Sequence, residues 1–113
     1  IHGSHIRQVA AQLGTAAKAL QVILFGSYAR GDATERSDVD LLVVAQTALP
    51  RHKRAVDLYR QLRPYPFGMD IMVYTPQEME EGKKSALTSV STVLREGTTL
   101  YEHRDGSGRK MAG

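Results

Sequence analysis

The chain contains no cysteine in its 113 residues, which excludes a disulfide framework and thiolate metal sites. Its four histidines, His2, His5, His52 and His103, are scattered without the i, i+4 spacing that grips a metal from one helix face, so a zinc site is disfavoured. No apolar run approaches membrane-spanning length, and no stretch combines a basic start, an apolar centre and a small-residue cleavage site. A cytoplasmic protein with no membrane contact is the expectation. Charge of one sign is also scarce: 15 Lys and Arg against 12 Asp and Glu leave a net charge of +3, too mild to argue for nucleic acid as a partner. What remains is 42% hydrophobic and 24% charged residues, ordinary for a globular protein. The length has room for one core and one domain.

The most informative stretch runs from Val22 to Val44. An apolar run, Val22 to Phe25, stops at Gly26-Ser27, and a second, Leu41 to Val44, starts directly after Asp38-Val39-Asp40. The pattern predicts strand, tight turn, short helix, strand. Because side chains alternate along a strand, Asp38 and Asp40 fall on one face and Val39 on the other. Two neighbouring carboxylates repel unless a cation joins them, and hard oxygen ligands suit Mg²⁺, which completes its shell with water and phosphate oxygens. Gly26 permits close approach of the backbone to a ligand, and Ser27 stands where backbone N–H groups face an anion. Taken singly, Gly-Ser is a common turn and Asp-x-Asp a common solvated strand end. In register between two buried strands, they describe a phosphate cradle beside a metal pair.

The run F-G-S-Y-A-R-G-D-A-T-E-R-S-D-V-D-L-L-V resembles the signature of the DNA polymerase β nucleotidyltransferase superfamily. More narrowly, the chain is similar to the minimal nucleotidyltransferases, MntA-type antitoxins encoded beside HEPN-domain toxins. The resemblance extends from about Val22 to Glu102. It implies a small α/β fold, polymerase-β-like, with a short mixed central sheet flanked by helices. Residues 6–102 would form the domain. Ile1 to His5, containing Gly3-Ser4-His5, resembles the remnant of a cleaved tag, and residues 103–113 read as a flexible tail.

Along the rest of the chain, Ile6, Val9, Ala10, Leu13, Ala17 and Leu20 predict an amphipathic helix, with Gly14 weakening or breaking it near the middle. Arg30 lies one turn past Ser27. Its guanidinium could reach a nucleotide's phosphates or pair with Asp32 or Glu35, and the resemblance favours the phosphates. A helix is predicted from about Arg51 to Leu62, with Ala55, Val56, Tyr59 and Leu62 inward and Pro64 as its stop. It carries Arg51, Lys53, Arg54, Arg60 and Arg63 against Asp57 alone, most simply a solvated face. Without interleaved aromatics, direct nucleic-acid contact is disfavoured.

Met69 to Tyr74 predicts a strand interrupted by Asp70, which is open to three explanations: a turn cap, an ion pair, or a third metal carboxylate. The last follows if this strand lies beside Asp40, and the resemblance implies the same. Thr75-Pro76-Gln77-Glu78 is a helix start with cap, proline and capping-box acid in agreement, and the helix should run to about Glu81. Ala86, Leu87, Val90, Val93 and Leu94 suggest one face of another helix stopped by Gly97, before a short closing strand or arm, Thr99 to Glu102.

The resemblance implies a Mg²⁺-dependent nucleotidyltransferase with ATP as substrate. Asp38, Asp40 and Asp70 would be its metal-binding and catalytic residues, and Gly26, Ser27 and Arg30 its nucleotide contacts. The implied acceptor is a tyrosine hydroxyl of a partner HEPN toxin, which the protein would silence by adenylylation. Two other classes stay open: a stand-alone enzyme modifying a small molecule such as an aminoglycoside, and a non-catalytic module that masks a toxin.

Overall fold

The computed structural model describes residues 3–103. Helix α1 (Gly3–Ala17) leads into strand β1 (Gln21–Phe25), the short helix α2 (Ser27–Arg30) and strand β2 (Val39–Val44). A 3-10 turn (Arg51–Lys53) and helix α3 (Val56–Leu62) cross to strand β3 (Met69–Tyr74). Helices α4 (Pro76–Lys83) and α5 (Ser89–Glu96) and strand β4 (Thr98–Glu102) close the described chain.

The four strands form one mixed sheet in the order β3-β2-β1-β4. β1 runs antiparallel to both β2 and β4, and β2 runs parallel to β3 through the α3 crossover. β2 is internal, and its unbroken apolar run is buried on both faces. Val39, Leu41 and Val43 join the larger core beneath α1 and α3, with Ile6, Val9, Leu13 and Leu58. Leu42 and Val44 point the other way, into a smaller core with Ile23, Met79, Val90 and Val93 from β1, α4 and α5. The expected α/β fold with a short mixed sheet between helices is the observed one.

Several local expectations differ. α1 is unbroken through Gly14 and begins at Gly3, ahead of Ile6. The glycine is needed for packing, since a Cβ there would collide with the ring of Tyr101 on β4. The helix expected over 51–62 divides in two, and Leu58 is its buried residue while Val56 is exposed. The division coincides with Arg54 turning inward. Its Nε donates to the Leu49 carbonyl (2.8 Å), and its Nη1 donates to the Val73 carbonyl (3.1 Å) and to Glu78 Oε1 (2.6 Å).

α4 has its capping box at Thr75 and Glu78 but passes Gly82, where Val90 of α5 occupies the space a Cβ would need. α5 starts only at Ser89, capped by Thr88. Ala86 and Leu87 precede it exposed, Leu94 is also exposed, and Val90 and Val93 make the buried face. Gly97 ends the helix and Thr98–Glu102 is a closing strand, as expected. The predicted tail lies outside the described residues from Arg104 onward.

The outer edge of β3 is covered by side chains. The Tyr59 hydroxyl accepts from the Ile71 N–H (2.8 Å) and donates to the Met69 carbonyl (3.2 Å), while Arg54 takes the Val73 carbonyl. These contacts occupy edge groups that would otherwise invite another strand. The basic cluster is therefore not simply a solvated face. Arg54 is only 9% exposed, and Arg51 lies over the Tyr74 ring at 4.6 Å while donating to Glu78 Oε2 (3.1 Å).

Arg54 above all holds the Glu78 carboxyl down at about 2 from its ordinary 4.5. A carboxyl depressed in the fold stabilises it above the unfolded value, and that contribution is lost as pH falls from about 4.5 through about 2. Glu78→Gln should cost about 1–2 kcal/mol at pH 7, after discounting for partial exposure. Urea unfolding should show the cost shrinking steadily between pH 5 and pH 2. An equal cost at both ends would show that the charge contributes nothing.

Candidate active site

The C-terminal end of β1 and the N-terminal ends of β2 and β3 meet at one end of the sheet. Asp40 pairs across with Phe25 on β1 and stands in register with Asp70 on β3. Register partners in a sheet share a face, so Asp40 and Asp70 project together on the side of α4 and α5. Asp38, just ahead of β2, is two residues from Asp40 and on the same side. Asp38 and Asp70 are exposed and Asp40 is half-buried, so the group opens to solvent.

Glycines let the carboxylates stand where they do. Gly26 has φ 75°, a left-handed conformation that disfavours side chains, and a Cβ there would collide with Asp40 Oδ2. Its carbonyl accepts from the N–H groups of Ala29 and Arg30 (both 3.0 Å), bending the chain sharply into α2. Gly68, just before β3, plays a similar part: a Cβ would strike Asp38 Oδ1, and its carbonyl accepts from the Val39 N–H (2.9 Å). In the sequence, Tyr65-Pro66-Phe67-Gly68 reads as a turn and nothing more. Its position directly ahead of an acid-bearing strand was the available signal.

The electrostatics are those of crowded like charges. Burial, then Asp70, then Asp38 push the Asp40 carboxyl above its ordinary range, and the positive charge of Arg30 opposes them. Arg30 itself is paired, its Nε to Asp32 Oδ2 (3.3 Å) and its Nη1 to Glu96 Oε1 (3.2 Å). Asp32 was one of the partners the spacing allowed. Glu35 does not take part in that pairing, and Glu96, 66 positions away, was not visible in the sequence.

The donor set suits a hard divalent cation, with carboxylate oxygens, uncompensated negative charge and room beside a glycine bend. Among the described residues, no group of three or more His, Cys, Asp or Glu side chains is by itself placed to hold a metal ion. The acids are an open array, compatible with an ion that keeps waters and shares phosphate oxygens. A cavity of about 830 Å³ lies elsewhere, between α1 and residues 61–66. It is on the α1 and α3 side of the sheet, and none of the three aspartates lines it.

A small mixed sheet carrying this acid group and a glycine-serine bend at one end has the architecture of a nucleotidyltransferase. The chain belongs to the nucleotidyltransferase domain family, whose model matches residues 6–105. Among curated proteins it is similar to two from Methanocaldococcus jannaschii, each named as a candidate protein adenylyltransferase. It is 37% identical over 89 residues to MJ1305, covering 74% of this chain and 58% of that one. To MJ0604 it is 38% identical over 81 residues, covering 72% and 77%. The chain thus spans little more than half of one relative's length and about three quarters of the other's.

Solved structures show the same fold. A candidate nucleotidyltransferase from Sulfolobus solfataricus matches with TM-score 0.60 at 19% identity, over 88% of this chain and 79% of that one. A toxin–antitoxin structure with AMP-PNP matches with TM-score 0.54 at 22% identity, over 86% and 73%. The pair MntA–HpeT, in a form with two aspartate-to-glutamate substitutions two positions apart, matches with TM-score 0.51 at 19% identity, over 86% and 73%.

A carboxyl whose pKa is raised by folding opposes the fold when ionised, and the opposition is relieved as pH falls through the raised value. In EDTA at pH 7.5, Asp40→Asn should therefore raise stability modestly, read as a higher thermal midpoint. Mg²⁺ should raise the midpoint of the parent protein and leave that of the variant nearly unchanged. A variant less stable than its parent in EDTA would contradict the electrostatic account.

Proposed function

We propose that this chain transfers AMP from ATP to a tyrosine hydroxyl of a partner HEPN-type toxin and acts as its antitoxin. The observation that carries the reading is the parallel register of Asp40 with Asp70, with Asp38 on the same face and Gly26 abutting Asp40. Gly26 and Ser27 hold the triphosphate against the bend, and Arg30 reaches toward it. Asp38 and Asp40 would hold Mg²⁺, which when bound would supply positive charge for the departing pyrophosphate and for the acceptor oxygen.

In the transfer, the acceptor oxygen bonds to the α-phosphorus as the bond to the bridging oxygen of pyrophosphate breaks. Asp70 orients the acceptor hydroxyl and receives its proton. Asp40 on β2, Asp38 just ahead of it and Asp70 on the neighbouring β3 keep the reacting groups in fixed relation, which is where positional catalysis gains most.

The acceptor is proposed to be another protein for a structural reason. The 830 Å³ cavity faces away from the aspartates and offers no site for a small acceptor beside them. The open array invites a second chain to complete it. The adenylyltransferase names of the archaeal relatives and the toxin–antitoxin pairs among the structural neighbours support this choice. So does the spacing of the two substituted aspartates in MntA–HpeT, which is that of Asp38 and Asp40.

With labelled ATP, Mg²⁺ and the product of the gene beside its own, the chain should label that protein on tyrosine. Asp38→Asn or Asp40→Asn should cut the rate at least about 100-fold, and EDTA should abolish it. Label on an aminoglycoside instead would favour a stand-alone enzyme. No label on any acceptor, with toxicity still masked, would favour a binding module.

A further inference from the structure

We propose that Glu96 is a positioning residue for nucleotide binding, acting through Arg30; the inference rests on the transferase reading given above. Glu96 is the last residue of α5, far in sequence from the bend, yet its Oε1 accepts from Arg30 Nη1 at 3.2 Å. Asp32 Oδ2 accepts from Nε of the same guanidinium at 3.3 Å. Among the described residues, Nη2 makes no hydrogen bond, so Nε and Nη1 hold the guanidinium in place while Nη2 keeps its donors.

The backbone builds this arrangement from both directions. On one side, Gly31 at φ 85° caps α2, and the N–H groups of Gly31 and Asp32 both donate to the Ser27 carbonyl (3.0 and 3.1 Å). That turn sets Asp32 beside Arg30. On the other side, Gly97 lets the end of α5 close on β1: a Cβ there would come within 2.7 Å of Ile23 Cγ2 and 3.1 Å of the Leu24 carbonyl. The Gly97 N–H donates to the Val93 carbonyl at 2.7 Å, fixing the last turn from which Glu96 projects. The contact is thus anchored in the smaller core through Val93 and Ile23.

Arg30 is half exposed, with 47% of its side chain accessible, whereas Glu96 is only 26% exposed. A long exposed arginine samples many rotamers, and ordering it on ligand binding has an entropic cost. Tethering Nε and Nη1 to acids that are themselves held on α5 and the Gly31 turn removes much of that cost beforehand. The positive charge stays close enough to influence Asp40. A phosphate oxygen meeting Nη2 would then find the donor already aimed.

The test is calorimetric titration of the full chain with AMP-PNP and Mg²⁺. Glu96→Ala should weaken affinity about 3- to 5-fold, the range of an exposed ion pair, and Glu96→Gln, which keeps the hydrogen-bond acceptor, should recover part of it. Arg30→Ala should weaken binding more, and adding Glu96→Ala to it should change nothing further, because the two act as one unit. In turnover, Glu96→Ala should raise KM for ATP with a smaller change in kcat, a split that mere loss of stability does not produce. Full additivity of the two substitutions overturns the proposal, as does unchanged affinity in Glu96→Ala or in Arg30→Ala while the parent binds. Failure of the parent chain to bind AMP-PNP at all overturns the transferase reading itself and this inference with it.

Discussion

Three aspartates at one end of a sheet repel each other, and the rest of the structure is arranged so that they can stand there without unfolding it. β2 bears the burden. It is internal, buried on both faces, and joined on one side to β1 and on the other to β3. A strand so fixed can carry an acid at its exposed end because the apolar residues behind it, Leu41 to Val44, are anchored in two cores. The crowded charge at Asp40 opposes the fold of the empty chain, which supports the proposal that this end of the sheet is a ligand site.

Glycine recurs wherever that site needs space. Gly26 and Gly68 lie against the carboxylates of Asp40 and Asp38, and Gly97 lets α5 settle onto β1. Each provides a close approach that a methyl group would prevent. Distant from the acids, Arg51 and Arg54 close on Glu78 and bind the 3-10 turn to α4 and β3. That clamp and the Tyr59 hydroxyl cover the outer edge of β3, leaving the strand fixed at the register that places Asp70 beside Asp40.

How much was legible in the sequence follows from whether the signal was local. The two strands around the glycine-serine bend, the Asp38 and Asp40 pair, the capping box at Thr75 and the stop at Gly97 are local patterns, and the structure has them. The adjacency of Asp70 required a parallel pairing across the α3 crossover, which spacing alone leaves open. Tertiary packing overrode propensity at Gly14 and Gly82, where the missing Cβ makes room for Tyr101 and Val90 instead of breaking a helix. Arg54 looked like one more solvated base until the fold turned it inward, and the Arg30 to Glu96 contact joins residues no periodicity connects.

On the proposed function, Asp38 and Asp40 at the start of β2 hold a divalent cation beside a bound nucleotide. Anomalous diffraction from crystals grown with Mn²⁺ and AMP-PNP tests it most directly. The account predicts a manganese peak between the carboxylates of Asp38 and Asp40, with the triphosphate against Gly26 and Ser27. A peak elsewhere, or a nucleotide seated in the cavity beside α1, would contradict it.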